Sequence, residues 1–344
     1  MKKSYLMMAA AATMFAACTQ TDFVNEVPET EQAIGFDNHV AKSTRAEITD
    51  EAALSTEGGF VVWGWKTPTT TPLDWTAAKA TQIFNAQVVS GGDGAWTYSP
   101  TKYWDKNSTY NFYAAAPANP TSGTYACTDA ANGMITITGV KSGLAKAVGT
   151  EDFLIDRDGA KSVSGNHTGD HAKVELEFNH VMAKVSIQLK RNVTENITVN
   201  SITMSGWNSN EGKFVQTLTE TPGVGNISEW SMTTGTDGTV TFTKNKDQGT
   251  IALTSNDAVA VEDSYIMVPQ TVGTLTFTLD YTITYTDGVV ENFKSQTGTL
   301  TAQTWGTDTH TTYTIKVGPE PIEFEVKTVS GFTNSVTPGE LPIE

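Results

Sequence analysis

Apolar and polar residues alternate through much of this chain. In "VELEFNHVMAKVSIQLK", Val174, Leu176 and Phe178 share one parity while Glu175 and Glu177 take the other, and the pattern returns at Val185, Ile187 and Leu189. Successive side chains of a strand point to opposite faces, so this reads as half-buried antiparallel strands. "LTFTLDYTITYTDGVVENF" is clearer still, with Phe277, Leu279, Tyr281, Ile283 and Tyr285 alternating with Thr and Asp before Asp287-Gly288. That pattern predicts a hairpin with a type I′ turn, whose register is strongly specified because a one-residue slip would expose all five large side chains.

The remainder repeats the theme. "GGFVVWGWK" reads as a strand, "IFNAQVVSGGDGAWTYS" as two strand-like runs about a Gly-rich turn, and "GMITITGV" alternates cleanly. "YNFYAAAP" ends an aromatic-rich strand at Pro117, and "TTYTIKVGPEPIEFEVKTVSGF" holds two strands parted by Gly318-Pro319-Glu320-Pro321. Helices are considered only for "LDWTAAKATQIF" and "KSGLAKAVGTEDFLI". Without helix–strand alternation a parallel α/β sheet is disfavoured, and two antiparallel β-sandwiches in tandem fit best. Gly, Ser, Asp, Asn and His crowd residues 156–173, which places the domain boundary there. The expected division is 46–165 for an N-terminal sandwich and 166–344 for a C-terminal one.

The N-terminus departs from this pattern. "MKKSYLMMAAAATMFAAC" has a basic start, an apolar stretch and small residues before Cys18, the layout of an export signal of residues 1–18. Phe15-Ala16-Ala17-Cys18 resembles a bacterial lipobox, which makes Cys18 the candidate acylated residue. Residues 19–45 follow as a polar, acidic segment in which Ile34, Phe36 and Val40 share a parity, with Asn38 between them. From Cys18 to Arg45 the chain, at about 3.3 Å per residue, reaches about 90 Å when extended. Lys42 and Arg45 stand just before Ala46, in either an ordinary polar linker or a site for an Arg-specific protease.

A net charge of −16 disfavours nucleic acid, which needs clustered Lys and Arg. Two cysteines are present; with Cys18 acylated, Cys127 has no disulfide partner and reads as a small buried hydrophobe. His167 and His171 flank Asp170 at metal-pair spacing, but the Gly- and Ser-rich surroundings disfavour the helix that would give the spacing meaning. Asp156 and Asp158 before Gly159 lack the remaining ligands of a calcium loop. No catalytic motif or paired carboxylates stand out, so the expectation is a non-enzyme with no metal and no cofactor. Trp63, Trp65, Trp75, Trp96, Trp104 and Tyr103 read as core or, alternatively, as a sugar-stacking platform.

Several pieces occur in a fixed order: the lipobox Cys18, the "AIGF" strand, "KSTRA", "KYW" with "YNFYAAAP", "VELEFNHVMAKVSIQL" and "HTTYTIKV". This ordered set resembles the fimbrillin family, the type V pilins of Bacteroidota, from the signal to about Val317. The resemblance implies two transthyretin-like Greek-key sandwiches, export as an outer-membrane lipoprotein, and removal of residues 19–45 by an Arg-specific protease cutting between Arg45 and Ala46. It implies that Ile34, Phe36 and Val40 fill a groove until that cut, and that a strand from a neighbouring pilin subunit then replaces them, giving a fimbrium at the cell surface. The candidate donor is "PIEFEVKTVSGF", with Ile322, Phe324 and Val326 on one face, although the same pattern suits an ordinary last strand. The tail with Leu341 and Ile343 is the alternative, and Pro338 and Pro342 weaken it as a central strand. The competing expectations are a pilus anchor or tip subunit, or a non-polymerising surface lipoprotein that binds a glycan or host protein through Trp63, Trp65 and Trp96.

Overall fold

The computed structural model describes residues 32–40, 48, 50–92, 94–131, 133–140, 144–145, 152–156, 163–165, 173–208, 212–217, 227–232, 237–242, 249–261 and 265–330. In chain order the first half carries β1 (Phe36–Val40), helix α1 (Glu51–Thr56), β2 (Phe60–Pro68), β3 (Thr81–Val89), β4 (Ser108–Ala116), β5 (Thr124–Cys127), β6 (Ile135–Val140), β7 (Leu144–Ala145), β8 (Leu154–Asp156) and β9 (Val163–Ser164). Next come β10 (Val174–His180), β11 (Ala183–Arg191), β12 (Asn196–Asn208), β13 (Gly212–Thr217), β14 (Ile227–Met232), β15 (Asp237–Phe242) and β16 (Ile251–Leu253). The chain continues through β17 (Val259–Ala260), β18 (Tyr265–Met267), β19 (Gln270–Thr284), β20 (Val290–Trp305), β21 (Thr309–Val317) and β22 (Glu323–Ser330). The fold is all-β, as the alternation requires. Its ladders are antiparallel except β1 on β10 and β11 on β21, which are parallel.

These strands form four sheets. The first runs β1-β10-β8-β4-β2-β3 and shares one core with the sheet β14-β13-β6-β5, through Val61, Trp63, Trp65 and Tyr113 on one side and Ile135, Ile137 and Phe214 on the other. The sheets β22-β21-β11-β18-β7 and β15-β12-β19-β20 enclose a second core around Val185, Ile187, Tyr313, Phe277 and Tyr281. The sheets do not divide at the expected boundary of 165/166. From beyond it, β10 joins the first sheet while β13 and β14 pair beside β6; from before it, β7 pairs with β18. Composition marks loops, and here a Gly/Ser-rich stretch connects two strands, β8 and β10, that belong to one sheet.

Local chemistry explains the other departures. Residues 50–56 form a short helix that alternation does not reveal; the Asp50 carboxylate accepts the Ala53 N–H at 2.8 Å and caps it. In "LDWTAAKATQIF" a turn leads directly into β3, so no helix forms there. The Gly-rich turn after β3 is followed only by the isolated bridge Ser90–Thr97. The β19–β20 hairpin closes through a three-residue loop rather than a type I′ turn: Gly288 N–H donates to Tyr285 O, Tyr285 N–H to Val289 O, and Gly288 alone takes positive φ, at 85°. Phe277, Leu279, Tyr281 and Ile283 are buried as their parity demands, with Tyr285 half-buried.

Two outcomes follow. Leu279→Ala empties a fully buried site and should cost about 2–5 kcal/mol in urea unfolding, whereas Val290→Ala, at 54% exposure, should stay within about 0.5 kcal/mol of the parent. Burial raises the Cys127 thiol from 9.0 to about 12. The folded chain therefore holds a proton that the unfolded chain releases, so this contribution is intact below pH 9.0 and lost as pH rises towards about 12. Cys127→Ala should flatten that alkaline decline in stability, measured by denaturant titration across the range.

Candidate functional site

The strand β1 lies on the outer edge of the first sheet, parallel to β10, in a register that runs from Phe36 opposite Val174 to Val40 opposite Phe178. Parity sends Ile34, Phe36 and Val40 inward, where they are 1%, 1% and 4% exposed. They meet a core that the other face of β2 and β4 supplies: Phe60 and Val62, then Tyr110, Phe112, Ala114 and Ala116. Both strands are consequently buried on both faces. The first sheet is a middle layer, with one face on its partner sheet and the other against residues 32–40, Ile48, Leu54 of α1, and Trp96, Tyr98 and Trp104.

Phe36 is the centre of this arrangement. Its ring makes edge-on contacts with Phe84 at 5.6 Å, Tyr98 and Phe112 at 5.7 Å, and Phe60 at 6.5 Å. Such pairs add about 0.5–1.5 kcal/mol beyond the area they bury. Gly64 in β2 makes the pocket deep enough: a Cβ there would stand 2.8 Å from Phe84 and 3.0 Å from Phe112. The segment is also tied by its backbone. Ile34 N–H donates to Lys102 O at 2.8 Å, Trp104 N–H to Gln32 O at 3.0 Å, Val174 N–H to Gly35 O at 2.9 Å, and the Tyr98 hydroxyl to Ile34 O at 2.7 Å. Desolvation raises the Tyr98 hydroxyl above the ordinary phenol value, which keeps it a donor. Lys173 Nζ stands 3.6 Å from the Asp37 carboxylate, but both are exposed enough that the pair adds little.

One inward position does not fit an apolar plug. The side-chain nitrogen and oxygen of Asn38 are buried and meet no hydrogen-bond partner. An amide left this way costs about 1–3 kcal/mol.

Cys18, Lys42, Arg45, Ala46, Asp158, His167, Asp170, His171, Leu341 and Ile343 lie outside the described residues. Asp156 is buried on β8, where its Oδ1 accepts the Glu177 N–H at 3.1 Å. Ile322, Phe324 and Val326 belong to the last described strand and its approach: β22 pairs antiparallel with β21 from Glu323 opposite Lys316 to Ser330 opposite Thr309. Ile322 and Phe324 pack against the second core, with the Phe324 ring 5.3 Å from Phe277, while Val326 is 44% exposed. Glu325 lies 2.7 Å from Lys316; hydrogen bonding to it holds the Glu325 carboxyl below its ordinary value and the ammonium above its own.

Trp63, Trp65 and Trp96 are core residues, 2%, 7% and 8% exposed, so they present no stacking platform. The Trp96 indole N–H donates to Glu51 Oε1 at 2.8 Å, and Gly94 N–H donates to the same oxygen at 2.6 Å. Trp75 and Trp104 are half-buried and Tyr103 is exposed. Parity in the sequence identifies Ile34, Phe36 and Val40, but it does not mark the residues that receive them: Phe84, Tyr98, Phe112 and the β10 edge come from distant segments.

Comparison with known proteins matches this chain, over residues 44–338, to the family described as fimbrillin-like. The curated fimbrium subunit Fim1C of Phocaeicola vulgatus is 26% identical over 212 residues, which cover 56% of this chain and 52% of that protein. The chain thus spans about half the length of this relative. A solved fimbrial protein from Bacteroides vulgatus shares the fold with a TM-score of 0.61 at 17% identity, over 88% of this chain and 100% of the other. The tip fimbrial protein Mfa3 of Porphyromonas gingivalis, solved with a C-terminal truncation, aligns over 80% of this chain and 96% of its own at 11% identity, with a TM-score of 0.36. With the match covering residues 44–338, the chain belongs to the fimbrillin-like family.

Proposed function

We propose that this protein is a structural fimbrial subunit, made as a lipoprotein precursor acylated at Cys18, cut by an Arg-specific protease between Arg45 and Ala46, and polymerised by strand exchange between copies. Before the cut it is an outer-membrane lipoprotein, and afterwards a component of a fimbrium at the cell surface. The observation that carries this reading is the seat of β1. An N-terminal segment fills an aromatic groove at a sheet edge, upstream of the Arg45–Ala46 bond, while Ile48 and Leu54 hold the chain just downstream of it. Cutting there would separate the occupant from the body without touching any other strand. Its loss would bare Phe60, Phe84, Phe112, Val174, Leu176 and Phe178 together with the unpaired backbone of β10, a surface that a new strand can complete.

A tandem transthyretin-like arrangement suits the two pairs of packed sheets, and the subunit's role is structural rather than catalytic. Its partners are neighbouring pilin subunits and the processing protease. The reading of a glycan-binding lipoprotein loses its candidate contacts with the burial of Trp63, Trp65 and Trp96.

The chain from Thr19 onward, treated with an Arg-specific protease, should yield a product that starts at Ala46 and forms a ladder or fibres seen by electrophoresis and electron microscopy. Arg45→Ala should block both events and leave the far-ultraviolet circular dichroism unchanged. A product fully cut after Arg45 that stays monomeric at high concentration would remove strand exchange from consideration. Phe36→Ala should destabilise the uncut precursor by about 3–5 kcal/mol in urea unfolding and speed the departure of the cut segment.

A further inference from the structure

Residues 35–40 read Gly-Phe-Asp-Asn-His-Val, and residues 331–336, immediately after β22, read Gly-Phe-Thr-Asn-Ser-Val. The positions that agree are the inward-facing ones and the glycine before them. Phe36, Asn38 and Val40 face inward, and Phe332, Asn334 and Val336 repeat them. At Gly35 a Cβ would stand 3.2 Å from Lys173 Cγ, a tight approach that the lysine side chain would have to yield to, and Gly331 repeats the glycine. Asp37 and His39 point outward, where identity is free, and there Thr333 and Ser335 differ. Even the polar inward member recurs, which a generic amphipathic strand would not require.

We infer that Gly331–Val336 of a second copy is the occupant that replaces β1, in the same register and direction along β10. The inference rests on the strand-exchange reading above and names the segment and alignment that reading leaves open. In this register Phe332 stands opposite Val174 in the pocket of Phe60, Phe84, Tyr98 and Phe112; Thr333 stands opposite Glu175, Asn334 opposite Leu176, Ser335 opposite Glu177 and Val336 opposite Phe178. The Ile34 site has no apolar counterpart, since Ser330 belongs to β22.

Two observations select this segment over β22 and a second copy over the chain's own tail. β22 is committed to β21 along Glu323–Ser330, and Ile322 and Phe324 close the second core, so donating it would open its own sandwich. The tail can be donated with β22 in place. Ser330 lies opposite Thr309, which lies opposite Ala183, and the neighbouring Asp308 N–H donates to Met182 O. Ser330 thus lies two strands from the start of β11, which follows the C-terminal end of β10 after Val181 and Met182. The place of Gly35 is at the other end, by Val174, roughly 20 Å away along the strand at about 3.3 Å per residue. Gly331 follows Ser330 directly, with no residue to cover that length, so the groove it fits is another copy's.

The test uses the chain from Thr19 onward, cut after Arg45, with Ser335→Cys and Glu177→Cys placed together and oxidised with diamide after assembly. The expected result is a disulfide between copies joining residues 335 and 177, mapped by mass spectrometry, with little linkage when Glu175→Cys replaces Glu177→Cys. Phe332→Asp should lower polymer yield by about tenfold or more, while Val326→Asp, at an exposed β22 position, should leave it unchanged. Polymer with a 335–175 link, or polymer sensitive to Val326→Asp and indifferent to Phe332→Asp, would overturn the register or the donor while leaving strand exchange standing. A 335–177 link within a monomer would overturn the second copy. Complete cutting without polymer would overturn strand exchange and this inference with it.

Discussion

The first sheet needs cover on both faces. Its central strands β2 and β4 carry large apolar side chains at consecutive positions, Phe60 to Trp63 and Tyr110 to Tyr113 apart from Asn111, so no single layer can satisfy them. The partner sheet takes one parity. The other is left to short pieces, residues 32–40, Ile48, α1 and the stretch with Trp96, Tyr98 and Trp104, of which β1 alone also completes the sheet edge by pairing with β10. Backbone pairing and apolar burial therefore fall on the same few residues. Burying Ile34, Phe36 and Val40 contributes roughly 1.5–3 kcal/mol each, which is large against the 5–15 kcal/mol by which domains are stable.

The consequence reaches beyond one edge because β10 lies between β1 and β8 and continues, through Val181 and Met182, into β11 of the second sandwich. That connection is anchored from three sides: Val181 N–H donates to Phe153 O, the Trp230 indole N–H to Val181 O, and Asp308 N–H to Met182 O. Beside it, His180 Nδ1 lies 2.8 Å from the Asp152 carboxylate, both residues buried. The strand exposed by losing β1 is thus held by contacts that do not involve β1. Such anchoring suits the receiving site proposed above, because β10 keeps these contacts whatever occupies its edge.

Much of this was legible as parity. Period-two burial locates β10, β11 and β19 and picks out Ile34, Phe36 and Val40, because each needs only the local pattern to say which face turns inward. What failed needed information from elsewhere in the chain. The expected half-burial of β11 overlooks that Lys184 and Ser186 on its outer face are buried too, with Ser186 Oγ 2.8 Å from His310 Nε2 of β21. Sheet membership was equally hidden: nothing local tells β13 to pair with β6, or β1 with β10. The helix at 51–56 escaped because its signal is a cap at Asp50 rather than a period, and six residues are too few to show one.

Asn38 is the position where local rule and structure disagree, and the disagreement has a physical sense. A permanent core strand would gain from an apolar residue there, since the amide is buried without a partner. Phe36 and Val40, on either side, already bind the segment well enough to keep the sheet closed while the chain is continuous. In the proposed maturation the same three residues would determine how fast the cut segment leaves, and a polar group in the middle of the apolar face would lower that barrier without weakening the aromatic pocket itself. In the proposed exchange, asparagine at position 334 would bring the same penalty with the incoming strand. Its advantage over the departing one would then lie in tethering: a donor joined to a folded domain is held near the groove by every other contact between copies, whereas a detached segment diffuses away.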